Sequence, residues 1–331
     1  MNIFNPIRLK KMNEILKKVG ELGIVPVVKI DNAADAVSLG KALIDGGLPC
    51  AEITFRTAAA AEAISNISKA FPDMLVGAGT VLNVEQAKRA VDSGSKFIVS
   101  PGFNPTVVDY CVQNNIPITP GCSNPSDIEM ALGFNLEVVK FFPAEAFGGL
   151  NTLKAMSAPY GMVKFIPTGG IDTKNLNDYL AFPKVLACGG SWMVKDELIK
   201  SGNFAEITRL TCEAMSLMLG FELAHIGINM PDADSSMAVT KQFNAMFNFP
   251  VKEGSSSNFA GAGFEVNKSI GLGKNGHIAI RTNSIPRAIV YLERNGFVVD
   301  LGTAKGPVGG PMVAVYMKEE VGGFAVHLLQ K

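Results

Sequence analysis

From Ile24 onward, short runs rich in Val, Ile and Phe alternate with longer stretches whose apolar residues recur every three or four positions. The runs are IVPVVKI from Ile24, CAEITF from Cys50, LVGAGTV from Leu75, KFIVSPG from Lys96, IPITPGC from Ile116, EVVKFFPA from Glu137, VKFIPTGG from Val163 and KVLACGGS from Lys184. Each runs into small or polar residues at or near its end and reads as a strand. The stretches between them, AADAVSLGKALIDGG and TAAAAEAISNISKAF among them, read as helices. Asn83 before VEQAKRAV and Asn124 before PSDIEMAL supply caps, with Pro125 at the first helical position. Eight such units in succession predict a parallel sheet closed into a (β/α)8 TIM barrel. The competing open doubly wound sheet is weakened because no GxGxxG turn follows the first strand.

The pattern changes near Gly220. AHIGINM, GFEVN, GHIAIRT, VAVYM and FAVHLL read as strands, and SSMAVTKQFNAMF and IPRAIVYLERNG as helices. The two halves begin at His225 and His277 with the related strings AHIGIN and GHIAIR, a weak internal repeat. The expected organisation is therefore α/β: a barrel over residues 1–219, then an α+β domain of paired βαβββ modules over residues 220–331. Met1 to Gly20 carries apolar residues at Ile7, Leu9, Met12, Ile15, Leu16 and Val19. It reads as an amphipathic helix rather than a signal peptide, because no apolar core or small-residue cleavage site follows.

Composition narrows the class. Apolar residues make up 47% and charged residues 18%, which suits packed cores and argues against disorder. Thirty basic residues balance thirty acidic ones, so there is no electrostatic footprint for nucleic acid or an anionic membrane. No apolar run approaches the roughly 20 residues that span a bilayer. The five cysteines are scattered without CxxC spacing, as expected of reduced thiols in a cytoplasmic protein.

In a barrel of this kind chemistry gathers at the C-terminal ends of the strands. There the chain places Glu52 and Arg56, Thr80, Pro101, Lys140, Thr168-Gly169-Gly170 and Gly189-Gly190-Ser191. Lys140 is flanked by Val138, Val139, Phe141 and Phe142. Desolvation there disfavours the ammonium, and a neutral amine can attack a ketone to form an imine. The alternative is a strand lysine that snorkels to solvent; Lys29 and Lys164 are also on strands. Glu52 is either a proton shuttle or one half of an ion pair with Arg56. Arg56 offers a fork for a substrate carboxylate. Glycine pairs after both the seventh and eighth strands point to a phosphate site rather than ordinary turns.

Taken together, AEITFRT, VGAGTV, SPG, VKFFPAE, PTGG and GGSW resemble the 2-keto-3-deoxy-6-phosphogluconate (KDPG) and 4-hydroxy-2-oxoglutarate aldolase family, from about Ile24 to about Met215. The resemblance implies an imine-forming Lys140 and Glu52 as acid/base. Arg56 and Thr80 would hold the pyruvate half, and Gly169, Gly170 and Ser191 the phosphate. It further implies cleavage of a phosphorylated keto acid to pyruvate and glyceraldehyde 3-phosphate, no cofactor, and a homotrimer. A related phosphogalactonate aldolase and a decayed, non-catalytic binding protein are the alternatives. The chain departs from the family in GCSNPSD, where Asn124 stands in place of a threonine, and at Phe147.

All three histidines lie after Gly220. The C-terminal segment resembles the vicinal oxygen chelate superfamily. That resemblance implies a divalent metal on His225, Glu265, His277 and His327, although that superfamily usually has a carboxylate at the last position. The alternative is a set of core histidines in a domain used for assembly.

Overall fold

The structure is a computed structural model and describes residues 12–331. It divides into two compact units between Met218 and Leu219.

The first unit carries eight short strands: β1 (Ile24–Val28), β2 (Cys50–Thr54), β3 (Leu75–Gly79), β4 (Phe97–Val99), β5 (Ile118–Thr119), β6 (Val138–Phe141), β7 (Lys164–Pro167) and β8 (Cys188–Gly190). Six form one parallel sheet in the order β5-β4-β3-β2-β1-β8, and β6 pairs with β7. Parallel bridges Gly121↔Lys140, Phe165↔Val185 and Thr168↔Gly189 join the two pieces and complete a ring. All eight runs read from the sequence are strands of that ring. The helices start where their sequence says: Asn83 and Asn124 accept from the N–H groups of Gln86 and Asp127, and Pro125 opens its helix. The departure at Asn124 is thus accounted for locally, since an Asn side chain satisfies an otherwise orphan helix donor.

The helix Glu14–Leu22 buries Leu16, Val19 and Leu22. Leu16 and Val19 line a cavity of about 10 Å3 with Val25, Phe97 and Ile166 inside the ring, so this helix stoppers it. The N-terminal expectation holds for Ile15, Leu16 and Val19; Met12 lies before the helix, and Ile7 and Leu9 lie outside the described residues.

The second unit is one eight-stranded mixed sheet. Its strands are β9 (Glu222–Asn229), β10 (Val251–Glu253), β11 (Ser257–Ala260), β12 (Phe264–Asn267), β13 (His277–Thr282), β14 (Val299–Lys305), β15 (Ala314–Met317) and β16 (Ala325–Gln330), in the order β10-β11-β12-β9-β13-β16-β15-β14. Helix Ala233–Phe247 follows β9 and helix Ile285–Arg294 follows β13, giving two βαβββ modules. The modules join through the antiparallel pair β9–β13, while β12 runs parallel to β9 and β16 parallel to β13. Sequence patterning missed β10, β11 and β14. β10 is exposed throughout and β14 nearly so, so no buried face imposes a pattern on VKE or VDLGTAK.

Candidate active site and metal centre

Lys140 and Glu52 meet inside the ring, with Lys140 Nζ 3.4 Å from Glu52 Oε1. They are 6% and 3% exposed, so the pair is buried. Each comes from the middle of a strand whose backbone is fixed on both sides. Lys140 N–H donates to Pro120 O at 2.9 Å, and its carbonyl accepts from Cys122 N–H at 2.8 Å. Glu52 is in register with Val27 on β1 and Gly77 on β3. Gly79 makes room for it, since a Cβ there would lie 2.1 Å from Glu52 Oε1. The other two lysines read as strand residues are spoken for elsewhere, and Lys29 in fact lies just past the end of β1. Lys29 Nζ pairs with Asp31 and Asp196 at 3.0 and 3.1 Å, and Lys164 Nζ donates to Pro183 O at 2.7 Å.

The expected alternative of a Glu52–Arg56 ion pair is not formed. Glu52 faces the ring interior, whereas Arg56 lies past the end of β2, exposed, with its Nε donating to Thr80 Oγ1 at 3.4 Å. Thr80 has φ +55, a left-handed conformation that costs a non-glycine residue energy and aims its hydroxyl at Arg56.

Above the pair opens a cavity of about 580 Å3 lined by Arg56, Thr168, Gly169, Gly170, Gly189, Gly190 and Ser191. The large cavity does not reach Lys140 or Glu52; Thr168 lines both it and the narrow space around the pair, linking the two. Among the described residues no acceptor takes the N–H of Gly170 or Ile171. Unpaired backbone donors on a cavity wall suit an anion. Pro101 is not on that wall; its carbonyl packs against Gly121, where a Cβ would lie 2.0 Å away. Sequence reading missed Lys29, Asp172, Trp192 and Lys195, which also line the cavity. The W of GGSW was in view, but nothing in the pattern said that its ring would fill the space beside Gly190.

A buried lysine paired with a carboxylate inside a (β/α)8 barrel, beneath an anion-suited rim, fits the class I carbon–carbon lyases. The chain belongs to the KDPG and KHG aldolase family, whose model matches residues 14–210. It is 48% identical over 207 residues to the 2-dehydro-3-deoxy-phosphogluconate aldolase of Treponema pallidum, covering 62% of this chain and 99% of that one. It is similar to the KDPG aldolase of Legionella pneumophila, solved with pyruvate captured at low pH as a covalent carbinolamine intermediate, at 39% identity and TM-score 0.58, over 60% of this chain and 97% of that one. It is also similar to the 2-keto-3-deoxy-6-phosphogluconate aldolase of Zymomonas mobilis with 3-phosphoglycerate, at 40% identity and TM-score 0.57, over 61% and 95%. No helix among the described residues is long and apolar enough to cross a membrane.

In the second unit, strand register brings the four expected residues together. Glu265 and His277 both stand opposite Gly227, two positions from His225. His327 and His225 both stand opposite Ala279, two positions from His277. Residues two apart share a face of a sheet, so all four side chains rise from one face. His225 Nε2 is 2.9 Å from Glu265 Oε2 and 3.1 Å from His277 Nε2, and His277 Nε2 is 3.4 Å from Glu265 Oε2. The three histidines offer ring nitrogens within 4.8 Å of one another. Gly227 permits this, because a Cβ there would lie 1.9 Å from the His277 ring. Ser257 Oγ donates to Glu265 Oε1 at 2.7 Å and fixes the carboxylate. Hydrogen bonds from His225 and His277 hold the Glu265 carboxyl well below its usual range. Burial lowers His327 to about 4, and both its ring nitrogens are buried with no hydrogen-bond partner.

Proposed function

We propose that the barrel cleaves 2-dehydro-3-deoxy-6-phosphogluconate to pyruvate and glyceraldehyde 3-phosphate through an imine on Lys140. The observation that carries this reading is the buried Lys140–Glu52 pair at 3.4 Å. Lys140 Nζ attacks the C2 ketone to give a carbinolamine, which loses water to form an iminium ion. Glu52 moves the protons of those steps and takes the C4 hydroxyl proton, directly or through water. The C3–C4 bond then breaks, and the iminium accepts the electron pair as an enamine. Protonation at C3 and hydrolysis release pyruvate. The iminium is the electron sink, so the chemistry calls for no metal or organic cofactor. Arg56, positioned by Thr80, holds the substrate carboxylate; a part for Pro101 rests on the family resemblance alone, since it does not line the cavity. Thr168, Gly169, Gly170, Gly189, Gly190 and Ser191 hold the phosphate. The carbinolamine of the Legionella relative supports the imine route, and the 3-phosphoglycerate of the Zymomonas relative supports a site for phosphorylated acids.

The same pair would serve 4-hydroxy-2-oxoglutarate, giving pyruvate and glyoxylate. Pyruvate release from the phosphogluconate-derived acid, its phosphogalactonate-derived epimer and 4-hydroxy-2-oxoglutarate tests the assignment. Preference for the epimer would overturn the substrate, and no release from any of them would favour a non-catalytic protein. The family also implies a cytoplasmic homotrimer, which sedimentation equilibrium checks.

For the second unit we propose a divalent-metal site formed by His225, Glu265, His277 and His327, in a domain that resembles the vicinal oxygen chelate superfamily. Ligands about 2.1 Å from an ion lie about 3.0 to 3.4 Å apart in octahedral or tetrahedral arrangements. The contacts among His225, Glu265 and His277 fall in or beside that range. A bound ion would also give one of the two partnerless His327 ring nitrogens a partner. It would supply a Lewis acid for polarising a bound oxygen. Elemental analysis of the purified protein, with His277→Ala as control, tests the site. Metal retained equally by that variant, or none in either, would favour a structural histidine cluster.

A further inference from the structure

The loops that follow β6 and β7 are tied together beyond the pairing of their strands. Ala144 N–H donates to Thr168 O at 2.8 Å, and Glu145 N–H to Gly169 O at 3.1 Å. Gly170, at φ +80, lies so close to Glu145 that a Cβ would come within 2.6 Å of the Glu145 Cβ. The Glu145 carboxylate then accepts a hydrogen bond from Tyr179 Oη. Tyr179 is 1% exposed and sits on helix Leu176–Leu180, just past the glycine loop. The two oxygens occupy space that Gly149 leaves free, since a Cβ there would lie 2.9 Å from Glu145 Oε1 and 3.2 Å from Tyr179 Oη. From the far side, Asn175 Nδ2 donates to Gly170 O at 3.0 Å.

The glycine loop is therefore gripped by its carbonyls from two sides. The N–H groups of Gly170 and Ile171 are the ones left for an anion. Ala144 and Glu145 follow Lys140 on the same length of chain, so the grip also ties the anion site to the lysine. Burial and the Glu145 charge push the Tyr179 phenol up, which keeps it a donor.

We infer that the Glu145–Tyr179 pair is a positioning device that fixes the glycine-loop anion site relative to Lys140 and so selects phosphorylated over unphosphorylated 2-keto-3-deoxy sugar acids. The inference rests on the reading of Gly169 and Gly170 as part of the phosphate cradle. Neither side chain takes part in the bond-breaking steps. Each acts through the loop it holds.

The test compares 2-dehydro-3-deoxy-6-phosphogluconate with 2-dehydro-3-deoxygluconate in wild type, Tyr179→Phe, Glu145→Ala and Glu145→Gln. Losing the hydrogen bond is expected to raise KM for the phosphorylated acid about tenfold, equivalent to about 1.4 kcal/mol. Both kcat and the kcat/KM of the unphosphorylated acid should stay within about twofold. Glu145→Gln keeps an oxygen acceptor and is expected to recover most of the loss. Tyr179→Phe combined with Glu145→Ala should be no worse than either alone. Equal losses on both acids, no loss on either, or no rescue by Gln would overturn the inference while leaving the cradle intact. A wild type that shows no preference for the phosphorylated acid would overturn the cradle reading itself. Should Tyr179→Phe fail to fold, the two exposed Glu145 variants decide the matter alone.

Discussion

Replacing Lys140 by Met separates the structural and chemical parts of the account. The amine is lost, so no imine forms and turnover should vanish. The carboxylate of Glu52 stays behind at 3% exposure, its cation partner gone. Removing one member of a buried ion pair costs about 3 to 5 kcal/mol, because the remaining charge is desolvated without compensation. For a unit of 150 to 250 residues, each kcal/mol moves Tm by about 2 to 4 °C. The barrel transition of Lys140→Met should therefore fall by about 6 to 20 °C. Adding Glu52→Gln removes the stranded charge and should restore most of that loss without restoring activity. Calorimetry resolves the barrel transition, and coupled pyruvate release follows turnover. A single variant that melts with wild type, or a double variant no more stable than the single, would refute the buried-pair argument. Residual turnover in Lys140→Met would refute the chemistry.

Other expectations follow from the same structure. Glu52→Gln with Lys140 retained should lower kcat by about 10²- to 10⁴-fold, the usual contribution of a general acid–base group; pre-steady-state pyruvate release measures it. Asn124→Ala should cost about 1 kcal/mol of stability as a lost helix cap, and leave kcat/KM within about twofold. Loss of turnover at unchanged Tm would instead place Asn124 on the substrate. Burial pushes Cys111 and Cys122 up to about 12, so both remain thiols at pH 8 and become reactive thiolates only on approaching that value. Cys212 is exposed and the other four are buried, so a thiol reagent at pH 8 should label Cys212 in the native protein and all five in denaturant. A metal that binds the second unit at a hundredfold over its Kd should stabilise that unit by about 2.7 kcal/mol. Calorimetry should show that gain disappearing in His277→Ala.

The barrel was legible because every strand is buried and must carry a run of apolar residues, and because its helices carry Asn caps. Lys140 was less so. As a lysine within an apolar run it is ordinary, and only its place on the sixth of eight strands, facing Glu52 on the second, sets it apart. The partners of Lys29 and Lys164 could not be read from the chain, since Asp196 and Pro183 reach them through folding. The histidine cluster was legible as positions: each module opens with a His and ends with a candidate ligand. Its convergence depends on the antiparallel β9–β13 register, which no local pattern encodes. β10 and β14 lie at the exposed edges, where burial imposes no alternation. The Glu145–Tyr179 contact joins residues 34 positions apart, one just after β6 and the other on the helix after β7, and only ring closure brings them together.

In the proposed reaction Lys140 forms the covalent bond to substrate. Incubating the protein with pyruvate and sodium borohydride, then mapping the modified peptide by mass spectrometry, tests it most directly. One reduced pyruvate adduct is expected, on Lys140, with loss of activity in step with its formation. An adduct on Lys29 or Lys164, or full inactivation with Lys140 unmodified, would contradict it.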